Sequence, residues 1–526
     1  MMRRTYTPLQ INLIYGVLFL LIAWLYGTFE TMDRGPYSRH QWRQTDCLSI
    51  TQHYYQDNLP FLEPEIHWRG EGESGKTISE FPIIYYTVAK IWQVTGKHYW
   101  IYRGISFLIM AIGLFYLKKL CQLFLKDNFW AIFVPLFVFS SPILAYYSNN
   151  FMMNSNAFAL ALIAAYHFYR HRTEKSYKHL VYACILFLFA GLLKITALLL
   201  FFGLGAIFLY EMLIKERSFK QRWKEVLPYV SVLILIFIWY SYAGHYNANN
   251  MSVVFLQGLL PIWDLSWEDI YSNWKLLNSE LKPAYFNVPA LSLLGIIFIG
   301  VIINYKKANR YVFALSLLIT AGIIGYILLF FQVFNQHEYY LTNLLIFIPM
   351  ISLLFLDYLK NHHEGIFKSK TLKITVSIAL LYLVYSAAVQ TVVKYDIGKE
   401  WAKNSFILTK EDVAFWEWYH WDYNNTFKEL ETIEPVFQKA GVQLDDKVVS
   451  IPDGSLNISL YLMNRDGYNS YPGQKEPTGP ALIENSKKWG AKYLVVTNND
   501  LLGDSLLQPY FEHKVGGTEH VSIFKL

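Results

Sequence analysis

INLIYGVLFLLIAWLYGTF, residues 11–29, is followed within a few residues by RGPYSRHQWRQTD, residues 34–46, and the contrast between the two stretches decides what kind of chain this is. The first matches the roughly 20 apolar residues that cross a bilayer as a helix. The second opens a long polar segment, residues 34–100, that also holds Ser79-Glu80-Phe81-Pro82. Further apolar runs, such as residues 372–393, repeat the first pattern. With 54% hydrophobic, 18% aromatic and 16% charged residues among 526, the composition is too apolar for a soluble protein of this size. The sequence therefore reads as a polytopic α-helical membrane protein. Arg3 and Arg4 precede the first run as they would in a signal peptide. The run is too long for such a peptide, and no small-x-small cleavage site follows Trp24-Leu25-Tyr26, so a retained anchor is expected.

Working outward, apolar stretches near residues 10–29, 101–121, 128–147, 151–169, 178–193, 195–214, 225–244, 288–304, 311–332, 340–358 and 372–393 predict about eleven spans. With the N-terminus inside, connections 118–126, 170–178, 215–224, 306–310 and 360–373 are all rich in Lys or Arg. Connections 141–150, 245–288 and 334–339 carry only Lys275 and Lys282. That asymmetry places the basic connections on the cytoplasmic side and the polar segment 34–100 outside. An odd number of spans puts the C-terminus outside as well.

The expected division is a transmembrane part, residues 1–393, and a small C-terminal extracytoplasmic α/β domain, residues 394–526. In the latter, helices near 426–440, 456–463 and 481–489 alternate with strands at 447–452 and 492–497 and a final apolar alternation at 521–526. Asp453, Asn457 and the Arg465-Asp466-Gly467 turn admit an acceptor site, but turn and capping chemistry explains the same residues. Cys47, Cys121 and Cys184 form no disulfide framework. The chain has no P-loop, HExxH, CxxC or GxSxG, which removes support for a nucleotide-driven pump or a zinc protease. The net charge of +6 fits basic loops meeting anionic lipid and needs no nucleic acid.

Chemistry is then expected in the first outside loop and at outward helix ends, where a lipid-linked substrate lying along the nearly uncharged spans would react. Asp46 falls in a stretch, residues 44–55, that fits a short helix lying along the membrane surface, with Tyr54 and Tyr55 at the interface. A carboxylate there can accept a proton from an attacking hydroxyl or amine, or hold a cation against a leaving phosphate. Arg43 can pair with that phosphate or lower the Asp46 pKa. An exposed Arg43–Asp46 ion pair without function is the competing reading.

The stretch His40-Gln41-Trp42-Arg43-Gln44-Thr45-Asp46, then Pro60-Phe61-Leu62-Glu63-Pro64 and Glu80-Phe81-Pro82, resembles the first periplasmic loop of bacterial GT-C glycosyltransferases. These are the membrane enzymes related to the protein O-mannosyltransferases and to the lipid A aminoarabinose transferase. Gly191-Leu192-Leu193-Lys194 and His337-Glu338-Tyr339-Tyr340 extend the resemblance over residues 1–393. It implies a GT-C fold and a sugar taken from a polyprenyl phosphate and passed to an acceptor outside the cytoplasm, in a bacterial inner membrane. It also implies Asp46 as the essential carboxylate. Protein O-mannosyltransferases usually carry an Asp-Glu pair at this point, whereas Cys47 follows Asp46, so the closer likeness is to the bacterial single-Asp branch and no protein acceptor is implied.

The supporting residues each carry two readings. Lys194 interrupts two apolar runs and either snorkels to the interface or holds the donor phosphate. His337, Glu338 and Tyr340 close a late span, as belt and structural residues or as a phosphate or metal site. Glu80 stands at a helix boundary before Pro82, as a cap or as part of the site. Gly70, Gly72 and Gly75 predict a loop that orders around substrate. A divalent cation, Mg2+ or Mn2+, has room in this scheme, although no Asp-x-Asp occurs on the loop. A transporter or flippase usually carries paired halves or mid-span charges, and neither is evident. A polysaccharide polymerase or ligase typically places its large loop late, and here it comes first.

Overall fold

Thr7 closes a capping box with Gln10 at the start of α1 (Pro8–Leu25), and Pro8 occupies the first turn, where its missing N–H costs nothing. The computed structural model describes residues 7–70, 74–214, 219–252, 254–255, 258–335, 337–471 and 479–526. Gly72, one of the three loop glycines, lies outside the described residues.

Among the described residues, seven helices are long and apolar enough to cross a membrane: α1, Tyr99–Leu125, Ile195–Leu213, Trp223–Asn249, Arg310–Leu329, Glu338–His362 and Lys370–Lys394. An eighth span results if the pair Trp267–Tyr285 and Val288–Ile303, bent by 91°, counts as one. The chain is a multi-pass membrane protein. Each of the eleven apolar stretches falls largely on helix, but not all of these helices are long enough, among the described residues, to count as full spans. Stretch 128–147 breaks at Ser140 and Ser141 into Asn128–Phe139 and Pro142–Tyr147, because Ser141 caps a new helix with Pro142 in its first turn. Stretch 151–169 lies in Asn154–Glu174, whose ends carry Asn154, Asn156, His167 and Arg170, and Tyr177–Leu193 is apolar but short.

By contacts the chain divides into two units, neither of them a continuous stretch. The first comprises Met1–Asp33, Tyr102–Trp239 and Gly258–Ile407, and is helical. The second comprises Arg34–Ile101, Tyr240–Gln257 and Leu408–Leu526. The first loop, expected within a domain of residues 1–393, is thus found in the same unit as residues 408–526.

The second unit is built on a five-stranded sheet. Its strands are β1 (Lys447–Ile451), β2 (Gly467–Asn469), β3 (Ala491–Val496), β4 (Lys514–Gly517) and β5 (Ser522–Lys525), in the order β2-β1-β3-β5-β4. β1 pairs in parallel with β2 and β3, and β5 runs antiparallel to β3 and β4. Runs such as Val448-Val449 and Leu494-Val495-Val496 are buried without alternation, the signature of strands covered on both faces. The core gathers Val449, Ile451, Tyr468, Leu482, Leu494 and Phe524. β1, β3 and β5 match the sequence expectation; β2 and β4 were not expected. The helix expected at 426–440 divides into a 3₁₀ turn, Lys428–Thr432, and Glu434–Ala440, which restarts with Pro435 in its first turn.

Residues of the first loop continue the sheet beyond β2. Arg69 N–H donates to the Gly467 carbonyl at 2.9 Å and Gly467 N–H to the His67 carbonyl at 3.0 Å, with a parallel bridge between Trp68 and Gly467. Gly467 is required there, since a Cβ would lie 1.9 Å from the Val448 carbonyl oxygen. Beside this edge lies α2 (Gln41–Gln56), which buries 13 of its 16 residues. The expected helix is present, and it is buried rather than exposed, packing against the helices Ile83–Thr95 and Ile458–Met463 of its own unit.

Candidate functional site

α2 places Arg43, Asp46, Ile50 and His53 at i, i+3, i+7 and i+10, so one face carries both the charged pair and, further along, an imidazole. Arg43 is fixed by Glu80, which lies just before the helix Ile83–Thr95. Arg43 Nη2 donates to both Glu80 oxygens at 2.6 Å. Ser79 Oγ and Tyr85 Oη donate to the same carboxylate at 2.5 and 2.9 Å. Phe255 packs under the guanidinium, its ring centre 4.8 Å from Cζ. This charge-assisted set locks Arg43 in place.

Asp46 is held differently. Its Oδ2 lies 3.5 Å from Arg43 Nη1, a long contact, while Oδ1 accepts from Asn457 Nδ2 at 2.9 Å. The Asn457 amide is oriented in turn because its Oδ1 accepts the Trp68 backbone N–H at 3.1 Å. Asp46 is 0% exposed, and this burial pushes its carboxyl up to about 6, against the opposing pull of Arg43 and Asn457. Burial also pushes the neighbouring Cys47 thiol up to about 12, so it stays protonated. One carboxylate, Glu80, is committed to a cation and two hydroxyls; the other, Asp46, has a single short hydrogen bond and a carboxyl raised by burial. The Arg43–Asp46 pair, considered as an exposed one, is buried.

In the first unit, Gly191 lets chains approach closely, since a Cβ would meet Ile236 Cδ1 at 2.7 Å and Leu198 Cδ1 at 2.8 Å. Lys194 then breaks the helix, standing in extended conformation between Tyr177–Leu193 and the turn Ile195–Leu198. Its Nζ lies 5.1 Å from the centre of the Tyr340 ring. His337 precedes a nine-residue 3₁₀ run, Glu338–Ile346, and its ring lies 5.4 and 6.0 Å from those of Tyr339 and Tyr340. Glu338 is buried and accepts from Tyr147 Oη at 3.0 Å. Asn343 Nδ2 ties this run to the Lys194 break by donating to Thr196 Oγ1 at 3.0 Å.

Of the sequence-derived candidates, the structure brings Arg43, Asp46 and Glu80 together in one unit and Lys194 and Tyr340 together in the other. Asp453 proves to be turn chemistry: it accepts from Ser455 and Ser459 and holds the local chain. Asn457, read with it as a cap, instead reaches Asp46 across 411 residues, a contact with no local signal. Ser79 and Tyr85 were not singled out. Nor was Arg103, fully buried near the start of a span and donating to the Asn149 carbonyl at 2.5 Å, although a charge inside an apolar run is a recognisable flag.

Comparison with known proteins follows this geometry. ArnT from Cupriavidus metallidurans bound to undecaprenyl phosphate superposes with a TM-score of 0.60 at 10% identity, covering 97% of this chain and 98% of that one. The apo state of the same protein gives 0.56 at 9% identity, covering 98% and 97%. An Archaeoglobus fulgidus oligosaccharyltransferase tethered with an acceptor peptide gives 0.46 at 11% identity, covering 93% and 69%. The ArnT superpositions establish a shared, GT-C-type fold over essentially the whole chain. Residues 278–394 match the family described as the Lnb transmembrane domain. No curated protein matches by sequence.

Proposed function

We propose that this protein is an integral membrane glycosyltransferase that takes a sugar, hexosyl or pentosyl, from a polyprenyl phosphate and passes it to an acceptor outside the cytoplasm. The observation that carries the reading is Asp46: a wholly buried carboxyl, ionising near 6, oriented by Asn457 beside an Arg43 that Glu80 immobilises. The fold shared with ArnT, a protein whose structure holds undecaprenyl phosphate, supports the donor class.

In this reading the acceptor O–H or N–H gives its proton to Asp46 as the acceptor attacks the anomeric carbon. The bond from that carbon to the donor phosphate breaks, the phosphate leaves with the bonding pair, and a single displacement inverts the anomeric centre. Lys194 is assigned to the departing charge, with His337, Glu338 and Tyr340 shaping its surroundings, and Arg43 is assigned to the electrostatic setting of Asp46. Preorganised cations of this kind supply much of the rate in group transfer from phosphate. A Mg2+ or Mn2+ enters the proposal only through the donor phosphate, where such ions are commonly held with few protein ligands. The N-terminus is assigned to the cytoplasm and residues 394–526 to the periplasm of a bacterial inner membrane, on the distribution of Lys and Arg among the connections.

The test is transfer from a pool of radiolabelled polyprenyl phosphate sugars to a membrane lipid extract by purified protein. Asp46→Asn should lower turnover by roughly 10²–10⁴-fold at unchanged folding. Equal rates would remove Asp46 from the mechanism. Binding of lipid-linked sugar with no turnover on any donor would favour a transporter or flippase.

A further inference from the structure

We propose that His53, His67 and Asp466 form a binding site for a transition-metal ion of the Zn2+ class, separate from the Asp46 centre. His53 stands seven residues beyond Asp46 on α2, about 10.5 Å along the axis. It is 4% exposed, and His67 is 2% exposed. The two rings lie 4.5 Å apart, centre to centre. The three prospective ligand atoms all lie within 4.8 Å of one another.

The hydrogen bonds around the rings prepare this set. His53 Nδ1 lies 2.8 Å from Asp57 Oδ2, which lets Nδ1–H donate to that carboxylate and leaves Nε2 as the prospective ligand atom. A carboxylate behind a histidine is the usual support of a metal-binding imidazole. His53 Nε2 and Asp466 Oδ1 are both buried, and neither has a hydrogen-bond partner among the described residues, although they stand only 3.5 Å apart. Buried polar atoms are nearly always satisfied, so such a facing pair calls for a third body. Arg69 engages the other oxygen of Asp466, which leaves Oδ1 to point at the imidazoles. His67 Nδ1 is occupied by Ser49 Oγ at 2.7 Å, and His67 Nε2 faces Asn464 Oδ1 at 3.5 Å.

Two imidazole nitrogens and one carboxylate oxygen, with the Asn464 carbonyl oxygen or a water as the fourth ligand, suit Zn2+ or Co2+ better than Mg2+, which prefers six oxygens. Ligand atoms around tetrahedral Zn2+ stand roughly 3.3 Å apart, so the set closes with side-chain adjustments of about 1 Å. The ion would fasten α2 to the loop at residue 67 and to the turn after the helix Ile458–Met463. That helix starts next to Asn457, the partner of Asp46, and ends at Asn464. The metal thereby acts as a positioning element for the Asp46 region and takes no part in bond making.

The site is read without reference to the proposed transfer activity, so the measurement is metal binding itself. Full-length protein without a histidine tag, stripped by chelator in detergent, is titrated with Co2+ and then with Zn2+. One equivalent of Co2+ per chain, with the intense visible bands of a four-coordinate ion and displacement by Zn2+, is the expected result. His53→Gln with His67→Gln should abolish it, and Asp57→Asn, which touches no metal, should weaken Zn2+ binding by about 10–100-fold with thermal unfolding of the metal-free protein unchanged. Absence of saturable binding by the folded wild type overturns the proposal. Undiminished binding in the double variant overturns it equally. Should the double variant not fold, the wild-type Co2+ spectrum and Asp57→Asn decide.

Discussion

Helix α1 is assembled from Leu, Ile, Val and Phe, yet leaves Leu9, Leu13, Val17, Leu21 and Trp24 at its outer surface, while α2, with Gln, Arg, Thr, Asp, Ser and His at most positions, is enclosed by protein. In water the assignments would be reversed. In a chain that crosses a bilayer, apolar side chains meet lipid and need no protein cover, whereas a polar helix must find its hydrogen-bond partners within the fold. Within the second unit α2 is one place where charge is enclosed, and the Arg43–Glu80–Asp46 cluster is the result.

The contrast is broken most severely at Glu80. Glu80→Ala leaves the Arg43 guanidinium buried without its bidentate partner and should lower stability by about 3–5 kcal/mol, read as a fall in the unfolding temperature in detergent, with loss of transfer. Next comes the lipid-facing side: Val17→Lys, halfway along α1, should make insertion less favourable by about 3 kcal/mol and reduce the amount of protein recovered in membranes.

Asp46→Asn should do the opposite of Glu80→Ala to the fold. A carboxyl that titrates near 6 in the native state and near 3.8 when unfolded binds its proton more tightly when folded, so stability falls as pH rises through that window and stays reduced above it. Asn has no charge to bury and keeps an oxygen for Asn457, so the variant should unfold on the order of 2–3 kcal/mol later than wild type at pH 8. The two should converge below about pH 4. The activity of the wild type should rise with pH through about 6, since the base works ionised. The smallest effect sharpens the comparison: Leu13→Ala, 59% exposed on α1, should change stability by no more than about 0.5 kcal/mol, whereas Leu48→Ala, 0% exposed on α2, opens a cavity.

Much of this architecture was legible because its signals are local. The apolar run 11–29, the polar break after it, the Val-rich β1 and β3 and the turn chemistry of Asp453 each lie within a few residues of sequence. The helix over α2 was legible too, but its burial was not, because a polar helix enclosed by protein and one lying on a surface have the same composition. The number of spans is hard to count where a short feature interrupts an apolar run, as Ser140-Ser141-Pro142 does. β2 is three residues long and anchored by the bare Gly467, so nothing apolar announces it. The Asn457–Asp46 bond and the approach of Asp466 to His53 depend on chain closure over long separations, which a window along the sequence does not register.

That closure also has a consequence in time. Asp46 and Asn457 are 411 residues apart, and synthesis at roughly 5–20 residues per second separates their appearance by about 20–80 s. For most of that interval residues 34–101 have been made but lack the β2 edge along which residues 67–69 lie and the helix start that satisfies Asp46. The nascent first loop must therefore be shielded, by the insertion machinery or by its own transient contacts, until almost the last segment of the chain arrives to complete it.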